Sequence, residues 1–180
     1  LKNLSKLRYL RLPMHSDSSG IVFNGDGLAG MESLQELDME MRIESLEPLR
    51  NLKNLRVLSV VKGPAVEGSF QSMEPLSGLT QLESLEIGIR QADVDLSCLS
   101  GLTKLRNLYI QGTMNNSEDP IIDLTPLENL TELQTLDLSL AQIRDLTPLA
   151  SLPNLQSVTI FGPENLDTTP LAHVPSVNIN

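Results

Sequence analysis

Residues Asp123 to Ile160 read "DLTPLENLTELQTLDLSLAQIRDLTPLASLPNLQSVTI" and state nearly the same thing twice. In "LQTLDLS", apolar residues alternate at Leu136 and Leu138, the period of a strand with one face buried. One such strand can bury nothing alone, so the pattern has to be sought along the whole chain before any other structure is assigned.

In register the chain gives "LKNLSKLRYLRL", "LAGMESLQELDM", "LEPLRNLKNLRVLSV", "MEPLSGLTQLESLEI", "LSCLSGLTKLRNLYI", "LTPLENLTELQTLDL", "LTPLASLPNLQSVTI" and "TTPLAHVPSVNI", eight copies in all. Stacked copies form a parallel sheet over a shared leucine core, with stability roughly a sum of neighbour interfaces. The core is aliphatic, because aromatic residues are 3% of the chain and Trp is absent. In the return segment "LTPLENL", Thr125 is placed as an N-cap, Pro126 at the first helical position and Glu128 as the partner of a capping box. Pro48, Pro75, Pro148 and Pro170 share the column of Pro126. Asn51, Gly78, Gly101 and Asn129 stand where a left-handed residue would end each short turn. Each convex segment is thus expected to be one short helical or 3-10 turn.

The L-x-x-L-x-L run at Leu7, Leu10 and Leu12, and again at Leu133, Leu136 and Leu138, resembles the signature of the leucine-rich repeat superfamily. Within it, "LTPLxxLTxLxxLxL" is similar to the short internalin-type or SDS22-like class, and to the repeats that end many NACHT-type immune receptors. The family's Asn, three residues past the second strand leucine, is replaced here by His15, Arg42, Gly63, Arg90, Thr113, Ala141 and Pro163. The fold this implies is an α/β leucine-rich repeat solenoid, a curved right-handed superhelix with a concave parallel sheet and short convex turns. It forms a single domain over residues 1–180, expected to be part of a larger protein. The function it implies is a protein-binding module, first the sensor or autoinhibitory domain of an intracellular NLR-like protein. The alternatives are a secreted or surface internalin-type adhesin, or an SDS22-like enzyme regulator.

The central strand residues Leu10, Leu37, Leu58, Leu85, Leu108, Leu136, Val158 and Val177 are separated by 27, 21, 27, 23, 28, 22 and 19 residues. The first six spacings alternate long and short, which points to duplication of a two-repeat unit. Arg8, Arg56 and Arg106 precede the odd strands where Gln35, Glu83 and Gln134 precede the even ones. Extra residues follow the odd strands in "PMHSDSSGIVFNGDG", "VKGPAVEGSFQSM" and "GTMNNSEDPII". Repeat insertions on one edge are frequent binding devices, and His15, Asp17, Phe23, Phe70, Met114 and Asn115 are the candidates there. The run "NGDG", Asn24 to Gly27, is a turn signal expected to close a small hairpin after "IVF".

Chemistry-bearing motifs are missing. No phosphate-cradling glycine loop is present, His15 and His173 are far apart, and the carboxylates around "NGDG" lack the spacing and closing Glu of an EF-hand. No enzyme activity, cofactor or metal is expected. The net charge of −10 argues against nucleic acid and anionic membranes. Cys98, the one cysteine, occupies the Pro column as a packed side chain, and its isolation favours a reducing, cytoplasmic setting over the extracellular alternative. Partner binding is assigned to the outward strand positions: Tyr9, Arg11, Glu36, Asp38, Glu40, Val57, Val61, Glu86, Tyr109, Asp137 and Phe161. A protein or peptide with a basic or mixed surface is the expected partner, with other domains of the same chain as the alternative.

Overall fold

The computed structural model describes residues 4–13, 22–40, 42–43, 45–61, 72–89, 95–112, 121–161, 163 and 165–179. Its convex side is built by one backbone hydrogen bond used over and over. The amide of Leu49 donates to the carbonyl of Leu46, Leu52 to Leu49 and Leu55 to Leu52, at 2.9, 2.9 and 3.0 Å. The same run recurs at Leu76 to Leu82, Leu99 to Leu105, Leu127 to Leu133 and Leu149 to Leu155. Bonds spanning three residues give three residues per turn, so every third side chain falls on the same side. That side is the core: these leucines are 0–2% exposed.

Each run then opens into a strand: β1 (Tyr9–Leu12), β3 (Glu36–Met39), β5 (Val57–Val60), β6 (Ser84–Ile89), β7 (Asn107–Gly112), β8 (Thr135–Gln142), β9 (Ser157–Phe161) and β10 (Ser176–Ile179). They form one parallel sheet in chain order. The register pairs Leu10, Leu37, Leu58, Leu85, Leu108, Leu136, Val158 and Val177 across neighbouring strands, the column set by the repeat alignment. Just before the strands a second ladder ties repeat to repeat, the carbonyl of Arg8 accepting from both Gln35 and Glu36 at 2.8 and 2.9 Å. Gln35, Arg56, Glu83, Arg106 and Gln134 accept from the next repeat in the same way. The inward strand residues and the convex leucines form one continuous hydrophobic cluster, and no polar or charged residue is buried among the described residues.

The return segments are 3-10 turns at Glu47–Leu49, Glu74–Leu76, Ser97–Leu99, Thr125–Leu127, Thr147–Leu149 and Thr169–Leu171. Five of the six carry Pro at an opening position, as the Pro column predicts. The capping box of Thr125 and Glu128 does not form. Thr125 is the first residue of its turn, the apolar Leu124 holds the cap position, and no side chain bonds to the cap there. The oxygen comes from two residues upstream of each turn. Asp95, Asp123, Asp145 and Asp167 accept from the amides of Ser97, Thr125, Thr147 and Thr169 at 2.8–2.9 Å, and Ser45 and Ser72 do the same for Glu47 and Glu74 at 3.1 and 3.0 Å. These are Asx- and ST-type turns, one per repeat.

Nor do Asn51, Gly78, Gly101 and Asn129 turn left-handed, because the three-residue bonds carry the chain on without a reversal. Among the described residues only Gly25 has positive φ, at +76°. The expected hairpin at "NGDG" is absent: β2 (Val22–Phe23) pairs parallel with β4 (Arg42–Ile43) as a separate two-stranded sheet. The turn signal itself is met, with Asp26 donating its amide to the Asn24 side chain at 3.3 Å and Asn24 Nδ2 donating to Asp26 at 2.8 Å.

The carboxyls of Asp95, Asp123, Asp145 and Asp167 are held below their ordinary 3.8 by the hydroxyl and amide of the Ser or Thr two residues on. A depressed native pKa stabilises above the unfolded value and is lost as pH falls through the native one. The thermal midpoint should therefore hold from neutrality to mildly acid pH and fall below about pH 4. The triple variant Asp123→Asn, Asp145→Asn, Asp167→Asn should start lower and fall less, converging on the wild type in acid; parallel calorimetric profiles would contradict this. At Gly25, an added Cβ would meet Pro48 Cγ at 2.5 Å. Gly25→Ala combines the left-handed penalty with overpacking and should cost about 2–4 kcal/mol in urea unfolding.

Candidate partner-binding face

Period two sends the inward strand residues into the core and leaves two full rows on the open face of the sheet. The first runs Tyr9, Glu36, Val57, Ser84, Asn107, Thr135, Ser157 and Ser176, and the second Arg11, Asp38, Ser59, Glu86, Tyr109, Asp137, Thr159 and Asn178. The rows are not uniform along the sheet. Carboxylates gather over β3 and β6, while from β7 to β10 the rows are hydroxyl and amide side chains with Tyr109 and Asp137.

At the acidic end a concavity of about 520 Å³ is lined by Tyr9, Glu36, Leu37, Asp38, Glu40, Val57, Ser59, Val61 and Glu86. Seven of these are sequence-predicted site residues, brought together by the register. Tyr9 and Val57 keep 54% and 38% of their surface exposed, high for an aromatic and a β-branched side chain on a folded sheet.

The three acidic residues predicted as a group have different states. Arg11 Nε lies 3.1 Å from Asp38 Oδ2 and Arg11 Nη2 lies 2.5 Å from Glu40 Oε1. The bond to Glu40 and the charges of Glu40 and Asp38 raise the Arg11 pKa above its ordinary value. Arg11, predicted as a partner contact, is thus already engaged by its own sheet. Glu36 has no hydrogen-bond or ion-pair partner among the described residues. Glu86 accepts from Ser59 Oγ and Gln111 Nε2, both at 3.2 Å. Two neutral donors fix its orientation and leave its charge uncompensated.

Ser59 and Gln111, the donors that hold Glu86, are positions the outward pattern includes without marking. Ser59 is the cross-strand neighbour of Glu86, and Gln111 its diagonal neighbour, opposite Gly88. The repeat register, read as pairs on one face, is the signal that finds them. Tyr109 and Asp137 continue the second row beyond Glu86, outside the concavity. Phe161 ends β9 opposite Gln142. The insertion candidates His15, Asp17, Phe70, Met114 and Asn115 lie outside the described residues, and Phe23 is placed by its backbone in β2.

Chemistry elsewhere is sparse. Among the described residues no cluster of three His, Cys, Asp or Glu side chains could hold a metal, and no helix is long and apolar enough to cross a membrane. His173 is near the far end, its Nε2 3.1 Å from the carbonyl of Leu152. Cys98 packs against the core, and burial, aided by the charge of Asp95, pushes its thiol up to about 12.

No protein-family model matches the sequence, and no curated protein matches it either. Solved structures do. An internalin of Listeria monocytogenes (inlF) is 31% identical, with a TM-score of 0.76 over 99% of this chain and 49% of that one. The chain is a leucine-rich repeat protein. A second Listeria monocytogenes internalin (inlC2) is 27% identical, with a TM-score of 0.54 over 86% of this repeat protein and 74% of that chain. A leucine-rich repeat protein of Leptospira interrogans, 18% identical with a TM-score of 0.59 over 99% and 50% of the two chains, shows the shared fold alone. This repeat protein spans about half the length of the first internalin and of the Leptospira protein.

The Cys98 environment gives a direct test. A thiol near 12 is protonated at pH 8, so a disulfide reagent should label the native protein about a hundredfold more slowly than the urea-unfolded chain, and equal rates would contradict the burial.

Proposed function

We propose that the open face of the sheet is a protein-recognition surface and that the chain works by binding rather than by catalysis. The observation that carries this is the acidic concavity with Tyr9 and Val57 exposed beside it, a combination of apolar anchors and steering charge. The likeness to internalins supports a protein-interaction repeat module. The same likeness, at 31% identity along nearly the whole chain, supports a secreted or surface adhesin as the setting in preference to an intracellular sensor.

The test is capture with the wild-type protein and a variant carrying Glu36→Lys, Asp38→Lys and Tyr109→Ala, all outward positions whose change spares the leucine core. Circular dichroism establishes that the variant is folded. An extract of the producing cell and a membrane extract of animal cells are probed in parallel. A protein held by the wild type and released by the variant is expected from the animal membranes. The same behaviour from the producing cell would favour the sensor setting, and equal retention by both proteins would sink the open-face reading.

A further inference from the structure

Two carboxylates in the concavity face solvent with their charge unmatched, and the sheet fixes the distance between them. Glu36 pairs across the strands with Val57, and Glu86 with Ser59, so the two acids stand two strand spacings apart across the sheet and two residues apart along it. That diagonal is about 12 Å. Between them lies a floor of Val57 and Ser59, continued by Val61. Among the described residues on the two open-face rows the one cation, Arg11, is held by Asp38 and Glu40 and is not available to either.

We infer that this end of the open face is an anchor site for an extended protein segment of the pattern basic–x–aliphatic–x–basic. The inference rests on the open-face reading proposed above and names the partner's chemistry. In an extended chain, side chains at i and i+4 point the same way about 13 Å apart, which matches the separation of Glu36 and Glu86. The side chain at i+2 then falls on β5 between Val57 and Ser59, where an aliphatic group can cover Val57, now 38% exposed. The aliphatic stems of Lys or Arg lie along the valine floor and carry their charge to the rim. Arginine is favoured at the Glu36 side, because Tyr9 is the cross-strand partner of Glu36 and offers a ring face for the guanidinium. Glu86 is held in place before binding by Ser59 and Gln111, so little ordering remains to be done on that side. Phosphate-bearing ligands are repelled by the same carboxylates.

A fluorescein-labelled peptide with the core Arg-Ser-Leu-Ser-Arg, titrated with the 180-residue chain and followed by anisotropy, tests the site. Saturable binding is expected, weakened about tenfold by Glu36→Gln and again by Glu86→Gln, and weakened as NaCl rises from about 50 to about 500 mM. Replacing the central Leu of the peptide by Ser should weaken it further, while Glu128→Gln, at the end of a convex turn, should leave it unchanged. Absence of saturable binding, equal binding of a Glu-Ser-Leu-Ser-Glu peptide, or indifference to both Gln variants overturns the inference. The chain's own Lys2-Asn3-Leu4-Ser5-Lys6 has the same pattern. Self-association lost in both Lys6→Gln and Glu36→Gln would therefore give the site to a second copy and overturn it as well. The two readings separate on a captured partner: one released by Tyr109→Ala but indifferent to Glu36→Gln and Glu86→Gln refutes the anchor alone, and one indifferent to all three refutes the open-face reading too.

Discussion

The amide-to-carbonyl bond between leucines three residues apart is the constraint on which the rest of the structure depends. It sets three residues per turn on the convex side, so a leucine at every third position meets its predecessor's carbonyl and the core at once. A substitution that kept the hydrophobicity but shifted the spacing by one would break the bond run and expose the side chain together. This coupling explains why the leucine columns are so regular while the residues between them differ from copy to copy. The second ladder, through the carbonyls of Arg8, Gln35, Arg56, Glu83, Arg106 and Gln134, transmits that regularity from one repeat to the next. It uses backbone atoms only, and so does not constrain which side chains stand at those positions or on the strands that follow.

Those free positions are where the solenoid carries information. Across a parallel sheet in constant register, a row of outward residues becomes a surface whose chemistry is set strand by strand. Here most of the acidic and apolar positions fall on β1 to β6, and from β7 to β10 hydroxyl and amide positions prevail beside Tyr109 and Asp137. A hydroxyl- and amide-rich surface with Tyr suits adaptable hydrogen bonding, whereas carboxylates beside exposed Tyr and Val suit a charged anchor. The two ends of one face thus offer different chemistry to one elongated partner, without any change in the fold beneath.

Much of this was legible in the sequence. The column from Leu10 to Val177 is the observed register, residue for residue, because a period-two strand over a leucine core admits only one alignment that keeps every copy's leucines inside. The Pro column located the 3-10 turns for a similar reason, since Pro is tolerated where no amide is needed. The caps were misplaced by two residues: Thr-Pro after an apolar residue looks like a helix start, but the turn is too short for a helical capping box, and Asp123 or its equivalents supply the oxygen instead. The hairpin at Asn24 to Gly27 failed because turn residues specify a bend and not the partner strand, which β4 supplies. At the candidate site the strand period located the rows that carry Tyr9, Glu36, Asp38, Val57 and Glu86, while the unequal states of Glu36, Asp38, Glu40 and Glu86 were not legible. Those depend on which neighbour across a strand reaches which oxygen, and period alone carries no such detail.

The net charge of −10 also looks different once the cations are located. Arg50 reaches Glu47 in its own repeat and Glu74 in the next, Arg56 lies 3.5 Å from Glu83, Arg106 lies 3.1 Å from Glu132, and Lys104 donates to Gln81 at 2.7 Å. Nearly all of these contacts join one repeat to its neighbour on the outside of the solenoid. Exposed pairs of this kind contribute little stability each, but they hold positive charge on the convex side and the flanks, away from the open face. The alternation of Arg with Gln or Glu before successive strands, visible in the sequence as a two-repeat period, supplies both members of one of them, Arg56 with Glu83. The acidity of the concavity is therefore not a local sample of a uniformly acidic surface. It arises where β3 and β6 present carboxylates and where Arg11, the one cation on the described open-face rows, is shared by Asp38 and Glu40.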